Sequence, residues 1–309
     1  MAYNLKEQMS KPERFEAGHR LCAGCGAGIT CRAMMRAMEP GDKAVICNAT
    51  SCLEVSSFQY PFTAWDDSYI HAAFENTSAV AAGVESAYKV MKRKGKIQDN
   101  FKILAIGGDG GTYDIGFQSL SGALERGHDF TYFCYDNEAY MNTGTQRSSA
   151  TPRFASATTT PAGVESVGKK QNQKDLTQIV VAHGSPYVAQ TTFLGTFKDF
   201  HEKAHKAIYT EGPTFVNVLC PCPRGWQYSA ELLPEICRLA VDTCIWPLYE
   251  VENGEYHLTY MPKKKLPVEE FMKLQGRFRH CFKPGNEWTI EAAQNYVDEK
   301  WEALLAKCK

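Results

Sequence analysis

KILAIGGDGG, residues 102–111, decides the fold. A short run, Lys102 to Ile106 (KILAI), apolar after its first residue, passes directly into a glycine-rich turn holding one carboxylate, Asp109, and a helical pattern follows at Phe117 to Arg126. A continuous run of this kind, apolar on both faces and closed by glycine, marks a buried parallel strand rather than a half-exposed one. Working outward, Lys43 to Asn48 (KAVICN) and Phe130 to Tyr135 (FTYFCY) have the same form. A fourth run, Phe215 to Leu219 (FVNVL), ends in a cysteine-proline turn. Helical periodicity follows Cys25, runs through Asn76 to Arg93, and recurs at Leu176 to His183 and Phe197 to Tyr209. Strand and helix alternate with short connections, which predicts an α/β fold with a doubly wound, mostly parallel sheet. Such a sheet binds ligands at the carboxyl ends of its strands.

Two stretches fall outside this alternation. Residues 147–173 are rich in Ser, Thr and Gly without apolar periodicity, and read as a long functional loop or lid. Leu248 to Tyr260 reads as a hairpin turning at Asn253-Gly254, followed by a charged tail with an amphipathic helix at Thr289 to Ala306. At 309 residues the chain can bury a sizeable core without disulfides. Its 34 Lys and Arg against 35 Asp and Glu leave no basic block for nucleic acid or an anionic membrane. No apolar run reaches the roughly 18 residues of a membrane span, and the polar start MAYNLKEQMSKPERFEAGHR lacks an export signal, so the expected location is cytoplasmic. Twelve cysteines in that reducing compartment point to metal binding rather than a disulfide scaffold.

Two constellations carry chemistry. In the first, Gly108-Asp109-Gly110-Gly111 stands at one strand end, and Asp136-Asn137 begins 25 residues after Gly111 at the end of the next strand. A carboxylate and a side-chain amide on neighbouring strand ends can share Mg²⁺, while the glycines let backbone N–H groups approach a diphosphate. Order and spacing match the thiamine diphosphate signature. A dinucleotide G-x-G-x-x-G fails because Tyr113 takes the place of the third glycine. The near-Walker stretch 163–170 has Lys170 where Ser or Thr is needed, and reads as a flexible basic loop. The second constellation is Cys22-x-x-Cys25, with Cys52 after the first strand and Cys222 after the fourth. Four such thiolates suit a structural zinc or an iron–sulfur cluster. The remaining Cys31, Cys47, Cys134, Cys237, Cys244, Cys281 and Cys308 mostly lie in apolar patterns and read as core thiols.

These motifs, together with GHRLCAGCG (18–26), NATSC (48–52), YPFTAW (60–65), AFEN (73–76), GDGGTYDIG (108–116) and YDNEAYMNTG (135–144), resemble the β subunits of 2-oxoacid:ferredoxin oxidoreductases of the pyruvate synthase type. The resemblance runs from about Gly18 to Arg279. It implies a thiamine diphosphate- and 4Fe–4S-binding domain at 1–260 that contains the 147–173 loop, and a helical tail at 261–309. It further implies that Cys22, Cys25, Cys52 and Cys222 hold one 4Fe–4S cluster, and that Asp109, Asn137 and the Ala139 carbonyl hold Mg²⁺. Gly108, Gly110, Gly111 and the turn Glu138–Tyr140 would wrap the diphosphate, with Cys52 nearby and Asn142 toward the thiazolium and the substrate carboxylate. The implied reaction is oxidative decarboxylation of a 2-oxoacid, pyruvate first, to acetyl-coenzyme A and CO2, with electrons leaving singly through the cluster to ferredoxin. Oxalate, 2-oxoglutarate and branched 2-oxoacids are the other substrates the resemblance allows. A pyrimidine-binding subunit and a ferredoxin-like cluster subunit are the implied partners. Ser51, where such subunits have Gly, and Cys220, two residues before Cys222, depart from the pattern. A zinc-stabilised binding module and a thiamine enzyme without redox centres are the competing readings.

Overall fold

The computed structural model describes residues 4–193 and 197–308. Ten strands form: β1 Lys43–Ala49, β2 Phe58–Gln59, β3 Phe62–Thr63, β4 Ser68–Ala72, β5 Phe101–Gly108, β6 Thr131–Asp136, β7 Tyr187–Thr192, β8 Thr214–Leu219, β9 Tyr249–Glu252 and β10 Glu255–Leu258. Eight of them make one sheet in the order β10-β9-β7-β8-β6-β5-β1-β4, and β2 and β3 pair as a small hairpin. The six from β4 to β7 run parallel, and β9 and β10 add an antiparallel edge. Each of the four predicted strands is present within one or two residues of its expected limits. The hairpin turns where Asn253-Gly254 requires it, with both residues at positive φ.

Within the large sheet, two strands carried no readable signal. β4 (SYIHA) is short and half-exposed at the sheet edge. β7 (YVAQTT) is buried along its whole length although half its residues are polar. Burial is tolerated there because each polar side chain is answered: Gln190 donates to the Pro247 carbonyl at 3.1 Å and accepts from Thr177 at 2.9 Å, and Thr191 donates to Asp199 at 2.6 Å.

Topology fixes the position of the site. The connection leaving β1 turns toward β4, whereas the one leaving β5 turns the other way toward β6, so a crevice opens at the carboxyl ends of β1 and β5. That divergence is the switch point at which open α/β sheets bind ligands. Register brings the neighbours level: Gly108 of β5 lies beside Tyr135 of β6, and Asp136 lies beside Leu219 of β8. Asp109, Asn137 and the cysteine turn after β8 therefore emerge on one rim. Beyond Asp109 the chain forms a π-helix, Gly110–Ile115, before the regular helix Phe117–Glu125.

The 147–173 segment has neither helix nor named strand, as a loop would, but much of it is built into the body, Lys169 included. Ser148, Thr151, Phe154 and Ala155 are buried, and Lys169 is 1% exposed. The Lys169 ammonium donates to the carbonyls of Thr151 and Ser149, closing the segment on itself. The tail covers it from outside, through Ser156 N–H to the Arg277 carbonyl at 2.9 Å and an edge-on contact of Phe154 with Trp288. The terminal helix, Glu287–Lys307, buries Val297, Trp301 and Leu304 against the body. Because Lys169 is the donor for two enclosed carbonyls, Lys169→Met is expected to lower stability by about 1–3 kcal/mol in urea unfolding. A loss below about 0.5 kcal/mol, the range of surface changes, would show that the segment stands without it.

Candidate functional site

At the rim, Asp109 is fully enclosed. Its Oδ2 accepts from the Ser148 hydroxyl at 2.5 Å and its Oδ1 from the Asn137 backbone N–H at 3.3 Å. One terminal atom of the Asn137 amide lies 2.8 Å from the Ala139 carbonyl oxygen and 3.0 Å from Asp109 Oδ1. Nitrogen at that position would donate to both. Oxygen at that position stands from each of the other two oxygens at the separation of neighbouring corners of an octahedron, about 3 Å for bonds of roughly 2.1 Å. Burial, reinforced by the charge of Asp136, pushes the Asp109 carboxyl well above the usual carboxylate range. Asp136 is itself raised to about 7 by burial and by Glu138, against the Tyr113 hydroxyl that donates to it at 2.6 Å.

The turn after Asn137 is held from several sides. Glu138 sits at φ 64°, in the left-handed region. Its carbonyl accepts from Thr151 at 2.6 Å, and its carboxylate pairs with Arg277 at 2.5 Å. Tyr140 donates its hydroxyl to the Gly110 carbonyl at 2.9 Å. A Cβ on Gly110 would collide with the Tyr140 ring, and one on Gly111 would come within 3.0 Å of the Phe74 carbonyl, so this backbone lies close where only glycine fits. Cys52, Gly108, Asp109, Gly110, Gly111, Asn137, Ala139, Tyr140 and Asn142, all singled out in the sequence, line one groove. Glu138 is the exception: its side chain turns away from the groove to Arg277, leaving only its backbone on the turn.

The thiols come together beside it. Cys22 and Cys25 form a tight turn, Cys25 N–H to the Cys22 carbonyl at 3.1 Å, ahead of the helix Gly26–Arg36. Cys52 opens the helix Cys52–Ser57 after β1, and Cys222 caps Pro223–Trp226 after β8, its sulfur 3.4 Å from the Gly225 N–H. Burial raises Cys25 to about 11, with Cys222 and Cys22 adding to it, and raises Cys52 to about 12, with Cys222, Cys25, Asp109 and Cys22 adding to it. The four thiols are thus within one another's field and beside the carboxylate site. Among the described residues no three His, Cys, Asp or Glu gather at the spacing of a single ion. Cys220 is set apart by its contact and not by its distance from the set: its sulfur lies 3.1 Å from the Thr30 hydroxyl in the core, in the field of Cys25 as well as of Cys31 and Cys237. Ser51 adopts extended backbone open to any residue, and its hydroxyl donates back to the Ala49 carbonyl at 2.8 Å.

Sequence reading passed over Ser148, Thr151, Trp226 and Arg277. Trp226 donates its indole N–H to the Asn137 carbonyl at 2.8 Å, and the Arg277 guanidinium lies 3.8 Å over its ring. None stands in a recognisable spacing with Asp109 or Asn137.

The crevice position, the GDGG turn and the facing Asn137 define a thiamine diphosphate-binding enzyme domain. A family model for the C-terminal TPP-binding domain of thiamine pyrophosphate enzymes accordingly matches residues 21–218. The chain is 52% identical over 299 residues to the pyruvate synthase subunit PorB of Methanocaldococcus jannaschii, covering 96% of this chain and 98% of that one. It is 49% identical over 313 residues to the PorB subunit of Thermotoga maritima, covering 99% and 96%, and 44% identical over 305 residues to the ketoisovalerate oxidoreductase subunit VorB of Pyrococcus furiosus, covering 97% and 96%. Among solved structures, a chain of 2-oxoglutarate:ferredoxin oxidoreductase from Magnetococcus marinus superposes with a TM-score of 0.58 at 23% identity, over 77% of this chain and 81% of that one, a likeness of fold. The chain belongs to the β subunits of the thiamine diphosphate-dependent 2-oxoacid:ferredoxin oxidoreductases.

The raised value of Asp136 gives a pH dependence. Its protonated form is favoured by the fold, so its contribution to stability is full below its ordinary value, near 4, and is lost as pH rises through about 7. In urea unfolding without cofactor, stability should therefore fall between about pH 4 and 7, and Asp136→Asn should flatten that fall. An equally steep slope in the variant would place its origin in another group.

Proposed function

We propose that the groove binds thiamine diphosphate through Mg²⁺ held by Asp109, Asn137 and the Ala139 carbonyl, and that Cys22, Cys25, Cys52 and Cys222 hold a 4Fe–4S cluster beside it. The observation that carries this reading is the meeting of three oxygens under the GDGG turn, with four thiols from three segments next to it. An anionic carboxylate that burial disfavours, facing an amide oxygen and a carbonyl, suits a hard divalent cation. Four thiols from three segments that share a field are donors of the kind a 4Fe–4S cluster takes. Bound there, thiamine diphosphate supplies an electron sink for loss of CO2 from a 2-oxoacid. The chain's own residues bind and orient: Gly110 and Gly111 admit the diphosphate to close backbone approach, Ser148 fixes the rotamer of Asp109, and Asn142, exposed at the mouth of the groove, is placed to meet a substrate carboxylate.

We take pyruvate as the substrate, with coenzyme A as acyl acceptor and ferredoxin as electron acceptor, because relatives named pyruvate synthase subunit reach 52% identity. A relative named for ketoisovalerate at 44% keeps a branched 2-oxoacid as the second reading. Those names are all of subunits, and the chain is proposed to work in a complex with a pyrimidine-binding subunit and a further cluster-bearing subunit. Dye reduction by the anaerobically purified complex with pyruvate, 2-oxoisovalerate, 2-oxoglutarate and oxalate in turn decides the substrate. Pyruvate is expected to give the highest kcat/KM, and a preference for any other acid refutes that assignment.

Two sets of variants test the centres. Asp109→Ala should weaken Mg²⁺-dependent retention of thiamine diphosphate by about 100-fold or more, Asn137→Ala less, and Asn142→Ala should leave the cofactor bound while slowing turnover. Unchanged cofactor content in the Asp109 variant would remove the metal assignment. The anaerobic chain should carry about four irons and four sulfides, lost in Cys→Ser variants at 22, 25, 52 or 222 and kept at 220. Stoichiometric zinc without visible absorption would refute the cluster.

A further inference from the structure

The peptide that joins Asn137 to Glu138 is held at both ends by side chains. Its carbonyl accepts from the Trp226 indole N–H at 2.8 Å, and its N–H donates to Asp136 Oδ1 at 2.9 Å. A peptide unit is planar with its C=O and N–H pointing opposite ways, so bonds at both ends fix its rotation. That rotation is under tension, because Glu138 stands at φ 64°, a left-handed conformation that strains a residue bearing a side chain. Releasing the strain by turning about the bonds that flank this peptide would change the path of the chain between Asn137 and Ala139. It would also leave the indole N–H, a donor with no other role, without an acceptor in the interior, which is costly.

Asn137 and Ala139 carry two of the oxygens proposed for Mg²⁺, and the Asn137 amide lies 2.8 Å from the Ala139 carbonyl and 3.0 Å from Asp109. With nitrogen at that position the amide bonds to both neighbours. Entry of a cation requires oxygen there, the amide gives up both bonds, and the placing of the Ala139 carbonyl then rests on the backbone. Trp226 is suited to hold that backbone because it cannot follow a shift of the turn. It is 0% exposed, its ring lies edge-on to Phe271 at 6.0 Å and 81°, and its backbone N–H closes on the Cys222 carbonyl at 2.9 Å. Resting on the metal site proposed above, we propose that Trp226 is a positioning residue for Mg²⁺: its indole N–H locks the Asn137–Glu138 peptide and so presets Asn137 and Ala139 for the ion.

The test uses the anaerobically purified complex, stripped of Mg²⁺ and cofactor with EDTA, and counts thiamine diphosphate retained on gel filtration at increasing Mg²⁺. Wild type is compared with Trp226→Phe, which keeps a ring without the N–H, and with Trp226→benzothienylalanine, which keeps the shape and has sulfur in place of the N–H. Both are expected to raise the Mg²⁺ concentration for half-retention about ten-fold and to regain wild-type retention at saturating Mg²⁺. Phe271→Leu, which loosens the packing around the indole but leaves its N–H, should lower the urea midpoint at an unchanged Mg²⁺ requirement. An unmoved Mg²⁺ requirement in the sulfur analogue overturns the proposal. So does retention that stays low in the analogue at saturating Mg²⁺, or a rise in Phe271→Leu as large as in the analogue. If Trp226→Phe does not fold, the analogue decides. Wild-type retention that needs no Mg²⁺ refutes the metal site itself, a result distinct from a Mg²⁺-dependent wild type whose requirement the analogue leaves unmoved.

Discussion

Three carboxylates, Asp109, Asp136 and Glu138, are enclosed at the ends of two adjacent parallel strands, and their confinement organises the surrounding structure. Negative charge removed from water is costly unless donors or cations meet it. Each acid is met from a different part of the chain: Asp109 by Ser148 of the irregular segment, Asp136 by Tyr113 of the π-helix, and Glu138 by Arg277 of the tail. The elements that look peripheral in the sequence are therefore those that neutralise the centre. The arrangement leaves one oxygen face of Asp109 turned toward Asn137 and Ala139, where a divalent cation would complete the compensation.

What could be read from the sequence divides along the same line. β1, β5, β6 and β8 were legible because burial on both faces demands an unbroken apolar run, and the GDGG turn because backbone proximity excludes a side chain at Gly110. Cys22 and Cys25 stood out by their C-x-x-C spacing, and Cys52 and Cys222 by their places at turns beyond predicted strands. Ser148, Lys169 and Arg277 were not, since a hydroxyl or a cation acquires its role only when distant segments close over it. The 147–173 stretch misled for a related reason: polar composition without periodicity is what mobile loops show, yet here the polar groups satisfy one another in the interior. β7 was hidden by Gln190, Thr191 and Thr192, whose partners lie on other elements.

The two cysteines after β8 show how little separates a core thiol from one in the proposed cluster set. Cys220 directly continues the strand and faces Thr30, whereas Cys222 has entered the capping turn of Pro223–Trp226. Both are flanked by proline in the sequence, and only the direction of the chain at that rim distinguishes them.

The π-helix at Gly110–Ile115 sets a constraint of another kind. Its Gly116 N–H closes on the Gly111 carbonyl at 2.8 Å, five residues back, so this turn holds more residues than an α-turn would. Each residue in an α-helix advances the side chain by about 100°. Losing one residue here to restore α-geometry would swing Leu120 and Leu124 of the following helix away from the core and bring polar neighbours inward. A change in the length of this turn would have to be compensated along the whole of the next helix, and outside Gly110 and Gly111 this span should therefore evolve by replacement and not by insertion or deletion.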